Sequence, residues 1–364
     1  MKSMKLWAVM AIVVVMVISS GCKESDPEPP AGEPDIWVAG FSLSQANVAV
    51  PCYWKNGART DLSVIAPTRD GYARSIFISG GDVYVAGDTT NGAGVATPCL
   101  WKNGLRTDLP LVTAAKGGDA LSVFVQQGVV YVAGYVINAS NINIPCYWRD
   151  GVYGELSVLT AGMSGIAISV FVTASGELCI SGSTNNASFI EMPCYWREGV
   201  RTDLSVLAAN GGGNGNSIQV VENDVYISGS VRNSAFVPQP CYWRNGVRID
   251  LDVIDSSLFN YAQAIAVNGS DVYVAGTVCR PPSHFVPCYW KNGARSDLPV
   301  IDGNQNGYGR AIFWYAPDVY TAGDTTNSYN VSVPCYWKNG ARNNLDGLDL
   351  TKESRARSIF VTAK

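Results

Sequence analysis

The chain has 364 residues, of which 47% are hydrophobic and only 15% charged, with 37 Gly and a formal net charge of −4. This composition excludes a disordered chain and a coiled coil, and the even spread of Lys and Arg offers no basic patch to nucleic acid or an anionic surface. Tyr and Trp, at 18 and 10, outnumber the 10 Phe, a usage that fits many short strands joined by turns.

At the N-terminal end, Met1–Lys5 carries two lysines and Leu6–Ile18 is an unbroken run of thirteen apolar residues, followed by Ser19, Ser20, Gly21 and Cys22. Residues 1–21 therefore read as a signal peptide, the run being shorter than the roughly 20 residues of a membrane-spanning helix. The small residues before Cys22 resemble the lipobox of bacterial lipoproteins, in which the cysteine sulfur is diacylated; Ser19 stands where that box usually has an aliphatic residue. Lys23–Pro34 holds four prolines, four acids and no large apolar residue, so 22–34 is expected to be a lipidated cysteine with an extended tether. The partner implied is a membrane, reached through the lipid on Cys22. The expected location is the bacterial cell envelope, at the outer membrane or cell surface.

From residue 35 onward the sequence repeats. A Pro-Cys pair recurs at Pro51, Pro98, Pro145, Pro193, Pro240, Pro287 and Pro334, with spacings of 47 residues and one of 48, so 35–364 is filled by seven copies. Each copy reads as four strands. The third and fourth are joined by Asn-Gly in five copies (Asn56, Asn103, Asn245, Asn292, Asn339), by Asp150-Gly151 in the third copy and by Glu198-Gly199 in the fourth. Asn-Gly is a strong hairpin signal because a type I′ turn needs two positive φ angles. Four antiparallel strands at this period predict an all-β, seven-bladed β-propeller of four-stranded blades. The first copy begins with its second strand at Asp35, whereas Arg357-Ser-Ile-Phe-Val is a first strand with no sequel. The C-terminal strand is therefore expected to complete the N-terminal blade and close the ring.

In the third strand Cys52 and Trp54 alternate with Tyr53, so Cys and Trp share one face. Cys52, Cys99, Cys146, Cys194, Cys241, Cys288 and Cys335 are read as buried free thiols. Equivalent positions on adjacent blades lie about 10 Å apart, beyond the roughly 7 Å that a disulfide tolerates. Cys179 replaces the strand-two Tyr, and Cys279 is placed in a loop. The Arg-x-Asp of the fourth strand (Arg59 and Asp61 in the first copy) recurs five times and is read as a structural ion pair or a bond to a neighbouring blade.

With the first strand innermost, the long loops, such as Ala66–Ala73 and Asp302–Gly309, share one rim and vary between copies. Binding on loops held by a rigid frame is the functional reading; unconstrained drift is the other. The residue entering the first strand is Arg74, Leu121, Ile168, Asn216, Gln263, Arg310 and Arg357 in ring order. Three arginines thus fall on consecutive blades, with Tyr72 and Tyr308 two positions before two of them. Arg74, Arg310, Arg357, Tyr72 and Tyr308 form the candidate ligand site, suited to a carboxylate, sulfate or phosphate; the alternative is pairing with Asp70, Glu353 or Asp302. No catalytic residue, metal site or cofactor is assigned. His284, the one histidine, is placed in a loop, and the runs Asp88–Asn91 and Asp324–Asn327 are either Ca²⁺ ligands or turn formers.

The repeat Tyr-Trp-Lys-Asn-Gly-x-Arg-x-Asp-Leu, followed by Ser-Ile-x-Val and Asp-Val-Tyr-Val-Ala-Gly, resembles a group of bacterial lipoproteins built from tandem YWKNG-type repeats. It is more distantly similar to HAF-type extracellular repeats. The resemblance covers 35–364 and implies architecture without an activity. Three functions follow as expectations. One is a monomeric interaction module contacting a glycan, peptide or envelope protein. Another is a structural envelope protein. The last is a propeller glycosidase or lyase, whose arginines would be similar to the carboxylate-binding arginines of sialidases, although the Asp-box of sialidases (Ser-x-Asp-x-Gly-x-x-Trp) is absent.

Overall fold

The computed structural model describes residues 32–208 and 210–364; the segment 1–21 expected to be a signal peptide, the expected lipidation site Cys22 and most of the expected tether lie outside them. Among the described residues the regular elements are 28 strands and no helix, in seven four-stranded antiparallel sheets. Each innermost strand neighbours the innermost strands of the sheets before and after it, closing a ring. The architecture is the seven-bladed propeller that the repeat predicts. Blade one is built from both ends of the described chain: Ser354–Thr362 pairs with Asp35–Leu43, which continues to Ala49–Lys55 and Ala58–Asp61.

The outer hairpin shows why the turn is Asn-Gly. Asn56 and Gly57 take φ of 51° and 85°, and Asn56 also ties the turn to the second strand. Its Oδ1 accepts from the Ile36 N–H at 2.8 Å and its Nδ2 donates to Asp35 at 2.7 Å. Asn103, Asn245, Asn292 and Asn339 repeat these bonds. The side chain is thus chosen twice, for its tolerance of positive φ and for its two-ended hydrogen bonding.

Blades are joined by packing, not by backbone ladders. Cys52 and Trp54 face blade seven, packing with Tyr320, Ala322 and Leu345, while Tyr53 turns to blade two beside Trp101. All seven third-strand tryptophans are fully buried, and each indole N–H donates to a carbonyl of the preceding blade. Trp101 reaches Ser63 at 2.8 Å, and Trp54 closes the circle on Asp346 at 2.8 Å. The nine described cysteines are buried and unbridged. Burial pushes the Cys52 thiol up to about 12, which keeps it uncharged and unreactive.

Two placements differ from the sequence reading. Cys279 lies in a strand, not a loop, because the second strand of blade six runs on to Arg280 and its third begins early at His284. That extra pair, Arg280 opposite His284, also brings the histidine into the sheet. The Arg-x-Asp residues, by contrast, form the structural ion pair expected of them, within their own strand, as in Arg106–Asp108 and Arg248–Asp250 at 2.8 and 2.7 Å, and Arg295 also reaches the neighbouring blade, at Asp252, 3.1 Å away.

Candidate functional site

Every innermost strand carries a β-bulge at the same place, and in every blade the extra residue is the one that varies: Arg357, Arg74, Leu121, Ile168, Asn216, Gln263 and Arg310. A bulge leaves one residue unpaired and re-aims its side chain, here into the axial channel. The Gly of each Val-Ala-Gly-type second strand is the counterpart. A Cβ on Gly87 would meet the Tyr72 carbonyl oxygen at 1.9 Å, and one on Gly40 the Arg355 oxygen at 1.9 Å. Below the bulge, serines stitch neighbouring blades: the Ile76, Val123, Val170 and Ile218 N–H groups donate to Ser358, Ser75, Ser122 and Ser169.

All seven bulge residues line one cavity of about 340 Å³ at the channel mouth. The structure therefore brings Arg74, Arg310 and Arg357 together on blades two, seven and one. Tyr72 and Tyr308 stand behind them. Each ring centroid is 5.0 Å from the guanidinium carbon of Arg74 or Arg310, and neither tyrosine is among the cavity-lining residues, so they orient the arginines without reaching the cavity.

The partners of these arginines are not Asp70, Glu353 or Asp302. Asp70 accepts from the Ala49 N–H, and Glu353 pairs with Arg355. Arg74 Nη2 instead contacts Asp88 Oδ1 at 3.1 Å and Asp119 Oδ2 at 2.8 Å, and Arg310 Nε contacts Asp324 Oδ1 at 2.5 Å. Asp88 and Asp324 are thus arginine partners, and the turn forming expected of their runs falls to Asn91 and Asn327, whose Oδ1 atoms accept loop N–H groups. Both aspartates sit buried in second strands, opposite Tyr72 and Tyr308 in the register.

The position that supplies these carboxylates is Phe41 in blade one, opposite Arg355 in the register. Arg357 accordingly faces an aromatic ring, its guanidinium carbon 5.7 Å from the Phe41 centroid. Among the described residues no carboxylate pairs with Arg357, and its buried Nε has no hydrogen-bond partner. Burial, together with the positive charges of Arg310 and Arg74, lowers its pKa to about 10.

Asp88 and Asp119 share one guanidinium nitrogen. Burial raises Asp119 well above the ordinary carboxylate range, helped by the neighbouring Asp88, and burial also raises Asp88. The pair thus gives up its protons at higher pH than isolated aspartates do. A stability consequence follows. With the folded pKa above the unfolded value of about 3.9, the unfolded chain gives up its proton first, so this pair lowers stability as pH rises from about 4 through the folded pKa. Asp119→Asn keeps an acceptor for Arg74 and supplies N–H groups in place of the retained proton. The difference in unfolding free energy between variant and parent should grow with pH across that window, in the variant's favour. Urea unfolding at a series of pH values measures it, and parallel curves would refute the shared proton.

No family model matches this chain, and no curated protein matches it. Among solved structures, a puromycin-hydrolyzing peptidase of Mycobacterium tuberculosis is similar with a TM-score of 0.55 and 10% identity over 87% of this chain and 52% of its own. A Trypanosoma rangeli sialidase in complex with sialic acid gives 0.47 and 8% over 90% and 57%, and a fucose lectin from Kordia zhangzhouensis in complex with methyl-fucoside 0.28 and 14% over 35% and 95%. The chain spans little more than half the length of the sialidase and the peptidase. At such identities the likeness shows the fold alone.

Proposed function

We propose that the protein is a lipid-anchored extracytoplasmic β-propeller that acts as a binding module, taking an acidic group, a carboxylate, sulfate or phosphate, at the mouth of its axial channel. The observation that supports this reading is Arg357, a guanidinium without a counter-ion between two arginines that have theirs. A buried cation is costly unless paired, and an incoming oxyanion supplies the missing partner with charge-assisted bonds. Arg74 and Arg310 flank it as further N–H donors, held in place by their own carboxylates.

Binding is favoured over hydrolysis by the placement of the carboxylates: Asp88, Asp119 and Asp324 do not line the cavity and are engaged by Arg74 and Arg310, so none of these three is presented to a substrate as acid or nucleophile. The reading is tested on an array of acidic and neutral glycans with the parent and Arg357→Met in parallel. Retention of an acidic glycan by the parent and its loss by the variant supports the module; identical patterns refute it. Arg357 is preferred to a triple arginine variant because removing Arg310 would strand the fully buried Asp324. The anchor is tested separately: Cys22→Ser should abolish incorporation of labelled palmitate and release the protein from membranes, and unchanged labelling would rule out Cys22 as the acceptor.

A further inference from the structure

The loops joining second and third strands share one backbone form in every blade but the sixth, whose loop is shortened to residues 281–283. In blades two, three, four, five and seven the first loop residue is an Asn whose Oδ1 accepts the N–H groups two and four residues on, as Asn186 does from Ser188 and Ile190. The fourth residue is then forced into the left-handed region. Asn47, Gly94, Asn141 and Asn330 occupy that position with φ of 58°, 82°, 62° and 59°, residues suited to it. Blades four and five instead place Phe189 and Phe236 there, with φ of 61° and 60°. A bulky residue in this region is an outlier, and these two gain nothing from burial, being 75% and 58% exposed. Strain and exposure without structural return mark a functional position.

Both rings face the same feature. Phe189 and Phe236 line a surface hollow of about 480 Å³ between blades four and five, and Phe236 continues into a second hollow of about 230 Å³ beside Phe259 and Tyr261. Phe259 is a third exposed ring, at 50%. Arg232 borders both hollows and lies 3.6 Å from Glu191. The cleft therefore presents open aromatic faces around a paired cation and anion. Its partner needs a flat apolar face edged with hydroxyls and no net charge, a description of a pyranose ring.

We propose that this cleft is a second binding site, for a neutral oligosaccharide, with sugar rings stacked on Phe189 and Phe236 and hydroxyls bonded by Arg232 and Glu191. It is separate from the axial mouth and does not depend on an anion binding there.

The test replaces both phenylalanines by the residue that blades one, three and seven carry at the same position. Phe189→Asn with Phe236→Asn relieves the backbone, so the melting temperature of the full protein should hold or rise. Binding to neutral members of an oligosaccharide array, followed by calorimetric titration with the best of them, should weaken at least tenfold. Arg357→Met, which removes the axial cation, should leave that binding unchanged. Neutral-sugar binding that survives the double substitution overturns the site. An array silent to neutral sugars, or capture of peptides from a library that the double variant alone loses, overturns the saccharide as its ligand.

Discussion

Deletion of Ile359–Lys364 should destabilise the whole ring, lowering the melting temperature by roughly 10 °C or more or abolishing a cooperative transition. The segment supplies the innermost strand of blade one with its partners for Val38, Trp37, Ile36 and Asp35. Ile359 and Val361 are buried in the seam with blade seven. Phe360 lies 4.7 Å from Phe77 and 4.8 Å from Phe313, between centroids, linking blades two and seven across blade one. Each buried aliphatic is worth about 2 kcal/mol or more, so the loss of two of them with an aromatic bridge is comparable to the entire stability of an ordinary domain. The remaining strand Asp35–Leu43 would also expose an open edge to other chains. Removing only Ala363 and Lys364, which follow the strand, serves as the control and should be neutral. Calorimetry of both truncations decides the matter: equal melting temperatures would mean that the ring does not depend on its closing strand.

That closure was legible in the sequence because the repeat is written without gaps, and a first strand at one end with a second strand at the other leaves a single arrangement. The outer turns were legible because Asn-Gly between two strands, as at Asn56-Gly57 and Asn103-Gly104, supplies two residues at positive φ. The arginine cluster was legible from ring order alone. Its partners were not. Asp88 and Asp324 open Asp-Thr-Thr-Asn runs that resemble turn formers, and they meet their arginines only across a strand pair whose register is shifted by a bulge. Asp119 belongs to the next blade, 45 residues from Arg74. Bulges are not visible in a pattern of alternating residues, although the recurring Gly opposite each one was a signal: a strand interior spares its Cβ where another backbone comes close. Phe189 and Phe236 carried a similar signal, since aligning the loops sets them against Asn and Gly.

Arg357→Met should make the protein more stable while removing its response to anions. The variant keeps the length and apolar stem of the side chain and deletes a charge that the fold leaves unpaired. A guanidinium whose pKa falls to about 10 from an ordinary 12.5 is destabilising in its charged form. The cost is fully present at neutral pH, where folded and unfolded chains are both protonated, and is relieved only as pH rises through about 10. Discounted for the part that water screens, it is worth about 2 kcal/mol, in line with the gain of about 1–4 kcal/mol when buried charges give way to apolar residues. Thermal melts of parent and variant at neutral pH, each with and without inorganic phosphate or sulfate, separate the two effects. The parent should rise in melting temperature with anion concentration, by an amount set by mass action, and the variant should start higher and respond little. A variant less stable than its parent would show that Arg357 is already neutralised within the fold, and an anion response equal in both would place the anion elsewhere. The opposite signs matter: a residue that lowers stability and confers binding is retained for the ligand, whereas one that served the ring alone would lower stability when removed.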